Sequence, residues 1–184
     1  MKKVLMILPR EGFEEVEAVT PVDYLRRAGA QVTVAADASE RRVVGAHGIV
    51  IEADQTLEEV EGLYDAVLLP GGLPGARYLA ESERVGEILR AHDAEKKIIG
   101  AICAAPTALD RFGLLRGKKF TAYPGCEEGL DGQYVGGRVV QDTNIVTAEG
   151  PSRAIDFALA LVEILHGTKM TQKLRRELLL SVEV

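Results

Sequence analysis

Uninterrupted apolar runs mark where the buried strands of this chain are expected. They occur at residues 3–8, 65–69 and 98–102, with polar side chains only at their ends, and residues 31–36 predict a fourth strand in which Gln31 and Thr33 are polar. A strand of a parallel sheet that is covered on both faces is apolar at nearly every position, because neither face meets water. The four segments therefore predict parallel strands at the centre of a sheet.

Segments with helical spacing alternate with these runs. Residues 14–28 carry apolar side chains on one predicted inner side, with Gly29 as the stop. That inner side comprises Val16, Val19, Val22 or Tyr24, and Leu25. Residues 75–94 predict one or two helices, and residues 104–112, 151–165 and 168–179 predict three more. Alternating strands and helices predict an α/β fold, a mostly parallel sheet with helices on both faces, as one domain over residues 1–184.

The remaining segments predict shorter elements. Two extended pieces at residues 42–52 surround a glycine-containing turn, which indicates a hairpin, and residues 57–60 form a helical turn. Residues 119–122, 138–141 and 144–148 predict short strands, and residues 125–137 a glycine-rich surface loop. No repeat or linker interrupts this order.

Composition narrows the class of protein. The chain has 184 residues, of which 47% are hydrophobic, and its formal net charge is −6. A negative net charge argues against nucleic acid or an anionic membrane as the main partner. No apolar run has the length of a membrane span, so we expect a cytoplasmic protein. Its two cysteines are then expected to be free thiols, because the cytosol keeps thiols reduced.

The segment IIGAICAAP at residues 98–106 carries the strongest chemical signal. An apolar run leads directly into Cys103, small residues surround it, and Pro106 suits the first turn of a following helix. This pattern is typical of a nucleophile elbow, with sulfur in place of the serine oxygen. The helix end predicts a lowered thiol pKa for Cys103. The alternative interpretation is a buried core cysteine at the end of a strand.

Two other strand ends are expected to lie beside this elbow. Carboxylates follow the first strand at Glu11, Glu14, Glu15 and Glu17. The strand at residues 65–69 is followed by Gly71 and Gly72, which can bring backbone N–H groups close to a ligand. The carboxyl ends of parallel strands share one edge, where sites of such folds form. We expect one carboxylate to point inward and the other three to be solvated in a first helical turn.

Several segments together resemble the DJ-1/PfpI/ThiJ family, which is named partly for its Parkinson-disease member. The resemblance covers essentially the whole chain, in order and at the family's spacing. It is carried by AICAAPTAL at 101–109, EEVE at 14–17, PV at 21–22, RRAG at 26–29, LLPGG at 68–72, EGP at 149–151 and DFAL at 156–159.

The resemblance implies a flavodoxin-like three-layer sandwich of the class I glutamine-amidotransferase-like superfamily, a homodimer, and no cofactor or metal. It implies that Cys103 is an easily oxidised nucleophile with the Glu17 carboxyl at its sulfur. The oxyanion donors are then the backbone N–H groups of Gly72 and Ala104. The remaining candidates for the substrate pocket are Gly71, His47, Tyr123 and Pro151.

The chain also departs from the family's pattern. Ala104 stands where the protease-like branch has a histidine, and Tyr123 stands where the Parkinson-disease branch has one. We expect His92 and His166 to be surface residues. His47 and Glu149 occupy the positions of two anion-binding arginines. With no evident Cys–His pair, a cysteine peptidase or amidotransferase-like hydrolase is the less favoured interpretation.

A Cys–Glu pair favours chemistry on a small reactive aldehyde such as methylglyoxal or glyoxal. The reaction attributed to the family is a glutathione-independent glyoxalase forming lactate, and deglycation of adducts uses the same first step. The alternative is a redox sensor or stress chaperone in which Cys103 is oxidised. A thiamine-pathway role has no support in these residues. Cys126, beside Glu127 and Glu128, is expected to be a non-catalytic loop cysteine or, as a minor alternative, a resolving thiol.

Overall fold

The computed structural model describes residues 1–180 and contains a seven-stranded, mostly parallel sheet between two helical layers. The strands are β1 Lys3–Pro9, β2 Glu11–Phe13, β3 Gln31–Asp37, β4 Arg42–Gly45, β5 Val50–Glu52, β6 Gln55–Thr56, β7 Ala66–Leu69, β8 Ile98–Ile102, β9 Lys119–Phe120, β10 Gln133–Tyr134, β11 Val139–Asp142 and β12 Ile145–Ala148. The α-helices are α1 Glu15–Arg27, α2 Gly75–Glu81, α3 Glu83–Ala94, α4 Pro106–Arg111, α5 Ala154–His166 and α6 Thr168–Glu177. Short 3-10 turns cover Leu57–Glu59 and Pro151–Arg153.

The large sheet has the order β11-β12-β8-β7-β1-β3-β6. Its pairs are parallel except for the edge pair of β11 with β12. β1 pairs with β3, the next strand along the chain in this sheet, on one side and with β7 on the other. The strand order therefore reverses direction at β1, and the open edge beyond the ends of β1, β7 and β8 is where a site is expected.

Alternating side chains of β1 enter two separate cores. Val4, Met6 and Leu8 pack with residues of α1, α5 and α6, whereas Leu5 and Ile7 pack with residues of α2, α3 and α4. A strand that is buried on both faces must be apolar throughout, which is why β1 has no polar position between Val4 and Leu8. The predicted α/β fold with helices on both faces is confirmed.

Several predicted elements differ in detail. The segment 75–94 forms two helices that meet at Ser82, and the helix expected at 104–112 is the shorter α4. The helix expected at 151–165 begins as a 3-10 turn. The hairpin is formed by β4 and β5, which pair antiparallel and join β2 in a small sheet of three strands. β2 and β10 have only three and two residues, too short for an alternation pattern to reveal them.

The predicted inner side of α1 is wrong at two positions. Val16 and Val19 are 49% and 50% exposed, whereas Glu15 and Glu17 are 5% and 0% exposed. The helix turns two carboxylates inward because its first turn lies beside the open sheet edge and the β4–β5 hairpin. Tyr24 and Leu25, further along α1, are buried as predicted.

His92 is also not a surface residue, because its side chain is only 1% exposed. Its Nε2 accepts the Tyr64 N–H at 2.9 Å, and its Nδ1 lies 2.7 Å from the Ile88 carbonyl oxygen. The ring must therefore be neutral, with Nδ1 donating and Nε2 accepting. Burial lowers the pKa of His92, as expected for a cation that would lose its hydration.

We expect His92→Leu to lower the free energy of unfolding at alkaline pH by about 1–3 kcal/mol, because the Tyr64 N–H loses its buried acceptor. An unfolded histidine takes up a proton near pH 6.5, and the folded one resists it. The wild type therefore loses stability as the pH falls below about 6.5, and the gap to the variant narrows. Urea unfolding at several pH values measures this, and a gap that does not change with pH would exclude the neutral-ring interpretation.

Of the helices among residues 1–180, none combines the length and the apolar character that crossing a bilayer requires.

Candidate active site

Cys103 occupies a sharp turn directly after β8. Its φ is 66°, in the left-handed region that residues with a side chain rarely adopt. Two backbone bonds hold this conformation, because the Cys103 N–H donates to Ala148 at 2.9 Å and the Cys103 carbonyl accepts the Tyr123 N–H at 2.9 Å. With α4 beginning three residues later, the geometry is that of a strand-to-helix elbow.

Glycine at position 71 allows the thiol and a carboxyl to meet. A Cβ at Gly71 would lie 2.6 Å from Cys103 Cβ and 2.7 Å from Glu17 Oε2. Both distances are shorter than side-chain carbons tolerate, so any larger residue would force the two groups apart. Gly71 therefore sets the distance between the end of β8 and the first turns of α1.

Glu17 is the carboxyl that faces Cys103, and its side chain is fully buried. Its Oε2 accepts the Gly71 N–H at 2.8 Å, whereas its Oε1 has no hydrogen-bond partner of standard geometry among the described residues. The Gly71 carbonyl in turn accepts the Glu14 N–H at 2.9 Å. The Gly71 peptide thus fixes one oxygen of a carboxyl that contacts Cys103, and the other oxygen has no such bond.

Burial dominates the protonation of this pair. It raises the pKa of Glu17 to about 7, against the lowering effect of the Gly71 N–H and of Cys103. Burial and the neighbouring Glu17 carboxylate raise the pKa of the Cys103 thiol to about 12, although the N–H groups of Gly72 and Ala104 lower it. The resting site therefore holds a thiol next to a carboxyl that titrates near neutral pH.

The predicted lowering of the Cys103 pKa is corrected by these surroundings. α4 has only six residues and starts at Pro106, so it contributes little dipole at the sulfur. The side chain is 8% exposed and faces a carboxylate, and both features disfavour a second negative charge. The alternative of a buried cysteine at a strand end is thus correct about burial, although the elbow is also present.

Gly72 and Ala104 lie where the resemblance implies, with their N–H groups against the Cys103 sulfur. Gly72 has φ 90°, and a Cβ there would meet the Gly12 carbonyl oxygen at 2.6 Å. Glycine is thus required for the turn that brings this N–H to the thiol. Two backbone donors at one sulfur also suit an oxyanion that forms on the adjacent carbon.

Glu15 holds the tip of the β4–β5 hairpin from inside. Its Oε1 accepts the His47 N–H at 2.7 Å, and its Oε2 lies 2.8 Å from His47 Nδ1. Gly45 packs directly on this carboxylate. Burial raises the pKa of Glu15, but the bonds from His47 and from backbone N–H groups outweigh it and keep the pKa below its usual value. The expectation of three solvated carboxylates is therefore wrong, since both Glu15 and Glu17 point inward.

The other pocket candidates are at the same sheet edge but are not all in contact with Cys103. Tyr123 bonds to Cys103 through its backbone, and its ring lies over Gly150, where a Cβ would meet Tyr123 Cδ2 at 3.2 Å. Pro151 begins the 3-10 turn that follows β12. His47 bonds to Glu15 through its ring, and its Nδ1 also lies 3.6 Å from Glu14 Oε2.

None of the three histidines of the chain hydrogen-bonds to Cys103 within the described residues. His47 bonds to Glu15, His92 to Tyr64, and His166 is partly buried at the end of α5. Cys126 is a partly buried free cysteine, and burial together with Glu127 raises the pKa of its thiol.

One group of residues within 1–180 has metal-ligand types close together. Glu14, Glu15 and His47 offer ligand atoms that lie within 4.8 Å of one another. The Glu15 carboxylate and the His47 ring already satisfy each other, so the group is held together without an ion. Sequence reasoning missed the role of Glu15 because four carboxylates within seven residues look alike. The one available signal was Gly45, a small residue in the hairpin turn.

Comparison with known proteins agrees with this arrangement. A sequence model of the DJ-1/PfpI family matches residues 2–164. The chain is 42% identical over 186 residues to the Parkinson disease protein 7 homolog of Danio rerio, covering 98% of each. It is 36% identical over 183 residues to the glutathione-independent glyoxalase DJR-1.2 of Caenorhabditis elegans, covering 98% of this chain and 97% of that protein.

The fold matches as well. The solved structure described as Toxoplasma gondii DJ-1, oxidized, superposes with a TM-score of 0.94 at 39% identity, covering 99% of this chain and 100% of that one. Agreement in sequence, in fold and in the order of the elbow, glycine pair and carboxylates leads to one conclusion. The chain belongs to the DJ-1/PfpI family.

Proposed function

We propose that this protein is a cofactor-independent glyoxalase that converts methylglyoxal or glyoxal to a hydroxy acid through Cys103 and Glu17. The observation that carries the proposal is the fully buried Glu17 carboxyl, which contacts the Cys103 thiol and has one oxygen, Oε1, without a standard hydrogen bond among the described residues. A carboxyl whose pKa lies at about 7 can both take and return a proton at neutral pH. The similarity to a relative named as a glutathione-independent glyoxalase supports the same activity.

The first step joins the sulfur to the aldehyde carbon of methylglyoxal. The Glu17 carboxylate takes the thiol proton as the sulfur attacks, and then gives that proton to the aldehyde oxygen. The product is a hemithioacetal, in which one S–C bond has formed and the C=O double bond has become a C–OH group. The N–H groups of Gly72 and Ala104 stabilise the oxygen while it carries charge.

The second step moves hydrogen between adjacent carbons. Glu17 takes the C1 proton to give an enediolate with its charge on the C2 oxygen. The C1 hydroxyl proton passes to that oxygen, and Glu17 returns its proton to C2 as the C1 oxygen becomes a carbonyl. This isomerisation gives a thioester of lactate with no external oxidant or reductant. Water then cleaves the S–C bond, releases lactate and restores the thiol, so the sum is methylglyoxal plus water to lactate.

The test is to incubate freshly reduced protein with methylglyoxal in the absence of glutathione and with a chelator present. We expect loss of methylglyoxal to match formation of lactate. In the same assay, a glycated peptide or nucleotide adduct decides whether deglycation occurs beyond the removal of free aldehyde. Protein that consumes no methylglyoxal above the blank, while its thiol titrates fully, would exclude this proposal.

A redox sensor is the second candidate, because the groups at the sulfur also suit its oxidised form. A sulfinate at Cys103 would accept hydrogen bonds from a protonated Glu17 and from the N–H groups of Gly72 and Ala104. One superposed relative is described as oxidized, which adds support.

Under mild peroxide we expect Cys103 to gain two oxygen atoms while Cys126 stays a thiol. Thiolate content does not favour Cys103, since the pKa values of both thiols are raised. The difference comes from Glu17, which accepts the thiol proton during attack and then bonds to the sulfinate. Peptide mass spectrometry measures both residues. A Cys103–Cys126 disulfide as the main product, lost in Cys126→Ser, would instead identify Cys126 as a resolving thiol.

We also propose that the protein is a homodimer through the outer face of α1 and the adjoining hairpin. Homodimers are typical of the family. Val16, Val19, Ile49 and Val50 are each 44–56% exposed, and Glu15 bonds to the N–H groups of His47 and Ile49, which places the hairpin tip beside α1. Exposed aliphatic residues gathered on one face favour a protein partner.

Val19→Glu is expected to shift the protein from dimer to monomer at micromolar concentration, because it buries a charge in an apolar contact. Leu63→Glu is the matched control, since Leu63 is 45% exposed in the loop before β7 and away from this face. Sedimentation velocity measures both. A wild type that is monomeric at that concentration, or a dimer that Val19→Glu leaves intact, would contradict the assignment.

A further inference from the structure

Negative charge is concentrated around the candidate nucleophile. Glu14, Glu15 and Glu17 all belong to the first turn of α1 or its N-cap, and Glu15 and Glu17 are buried. Within residues 1–180, His47 is the one side chain able to carry positive charge that lies within 4 Å of any of the three. Glu14 has only 15% of its side chain exposed, and its Oε2 is 3.6 Å from His47 Nδ1.

Glu14 is connected to the reacting atoms through Gly71 and Gly72. Its N–H donates to the Gly71 carbonyl, and the Gly71 N–H donates to Glu17. Its backbone nitrogen packs against Gly72, whose own N–H lies at the Cys103 sulfur. The Glu14 charge also acts on the site itself, since it contributes to the raised pKa of Glu17.

Positive groups at this sheet edge do not cancel that charge. Arg10 is 3.6 Å from Glu11 and stacks on the Tyr78 ring, and Arg153 is 3.3 Å from Glu149. The N–H groups of Gly72 and Ala104 serve the single oxygen that develops charge at the carbon bonded to sulfur. A second, permanent negative charge on the substrate would meet these carboxylates, and residues 1–180 of one protomer place no donor at the sulfur besides the Gly72 and Ala104 N–H groups.

We propose that the carboxylates at the start of α1 make the site select uncharged electrophiles over anionic ones, with Glu14 as the specificity-determining residue. The substrate class is then a neutral 2-oxoaldehyde, and aldehydes that carry a carboxylate or phosphate are rejected. As a statement about substrates, this rests on the proposed glyoxalase function. As a statement about the field at Cys103, it holds for any electrophile that reaches the thiol.

Two alkylating probes of similar size but different charge test the electrostatic field at Cys103 directly. Iodoacetamide is neutral and iodoacetate is anionic, and both react with the same thiolate, so the ratio of their rates does not depend on the thiolate fraction of Cys103. The ratio is measured in a Cys126→Ser background and compared with that of a neutral small thiol. At alkaline pH, where His47 loses its proton although Glu15 and Glu14 raise its pKa, we expect iodoacetate to be disfavoured at least about tenfold relative to that reference.

Each single-charge change should move the ratio by about threefold to tenfold. Glu14→Gln removes one negative charge and His47→Arg adds a fixed positive charge, so both should raise the relative rate of iodoacetate. Glu61→Gln makes the same change in net charge in the exposed loop before β7 and should leave the ratio as in the wild type. About 1 M KCl, where the screening length is about 3 Å, should reduce the wild-type discrimination.

Substrates then separate this inference from the proposed function. Glyoxal and glyoxylate share the aldehyde group but differ in charge, and we expect turnover of glyoxal only. Glyoxylate should not inhibit the turnover of glyoxal by the wild type, whereas it should inhibit Glu14→Gln measurably. A discriminating alkylation ratio with no turnover of either aldehyde would overturn the glyoxalase and leave the field assignment standing. A ratio equal to that of the free thiol, or one that Glu14→Gln does not move, would overturn the selection itself.

Discussion

Replacing Cys103 with serine is expected to lower the rate of methylglyoxal consumption by about a thousandfold or more. Serine keeps the shape of the side chain and the backbone bonds to Ala148 and Tyr123. Its hydroxyl, however, is a far weaker acid than a thiol, so a carboxyl with a pKa of about 7 cannot deprotonate it. The loss should therefore appear in kcat, with the fold unchanged by circular dichroism.

Cys126→Ser is the matched control for this experiment. Cys126 is the second free cysteine and lies in the loop after β9, where its thiol pKa is raised by burial and by Glu127. We expect its replacement to leave turnover within about twofold of the wild type. If Cys103→Ser retained full turnover, or Cys126→Ser abolished it, the assignment of the nucleophile would be wrong.

Glu17→Gln is expected to reduce kcat/KM for methylglyoxal by about 10²–10⁴, the usual contribution of a positioned acid–base group. The amide can still accept the Gly71 N–H, so the geometry of the turn is retained, but it cannot carry a proton between two carbons. The steady-state rate with the wild type and the variant measures the loss. Glu11→Gln, at a carboxylate that is 55% exposed and pairs with Arg10, is the matched control.

The same substitution should stabilise the fold at alkaline pH. The pKa of Glu17 rises from 4.5 in the unfolded chain to about 7 in the folded protein, so folding holds the proton more tightly. Stability from this group is complete below pH 4.5 and is lost as the pH rises through about 7, by about 3 kcal/mol in all. Glu17→Gln lacks this loss. Urea unfolding at acid and alkaline pH should show that the free energy of unfolding of Glu17→Gln increases relative to that of the wild type as the pH rises.

If Glu17→Gln were inactive and yet no more stable than the wild type at high pH, the Glu17 carboxylate would not be destabilised by burial in the folded protein. A Glu17→Gln variant that keeps its activity while Glu14→Gln loses it would reassign the acid–base role to Glu14. The opposing effects on activity and stability are expected of a group that is placed for chemistry at a cost to the fold.

The central strands were predictable because burial on both faces leaves a continuous apolar run. The elbow was predictable for a similar reason, since the small residues around Cys103 and the proline at 106 are local requirements of the turn. The contact between Glu17 and Cys103 followed from the resemblance to the family, and the structure does bring the two together.

The first turn of α1 was not predictable by the same rules. The usual rule places valine on the buried face of a helix and glutamate on the exposed face. It fails for α1 because the buried face of its first turn meets the candidate active site, and its exposed face carries an apolar surface patch. Val16 and Glu15 exchange their expected positions for this reason. His92 fails similarly, because a backbone N–H of a distant loop provides its partner and no local pattern records such a bond.

The elbow has a consequence for the order of events during folding. Glu17, Gly71 and Cys103 come from three elements that are far apart in the chain, and they meet only when β1, β7 and β8 have paired. Parallel pairing of distant segments is slow compared with helix formation. Until it is complete, the cysteine keeps the ordinary thiol pKa of about 8.5 and is open to solvent. Folding therefore protects this thiol, and a newly made or partly unfolded chain is the form most exposed to unguided oxidation.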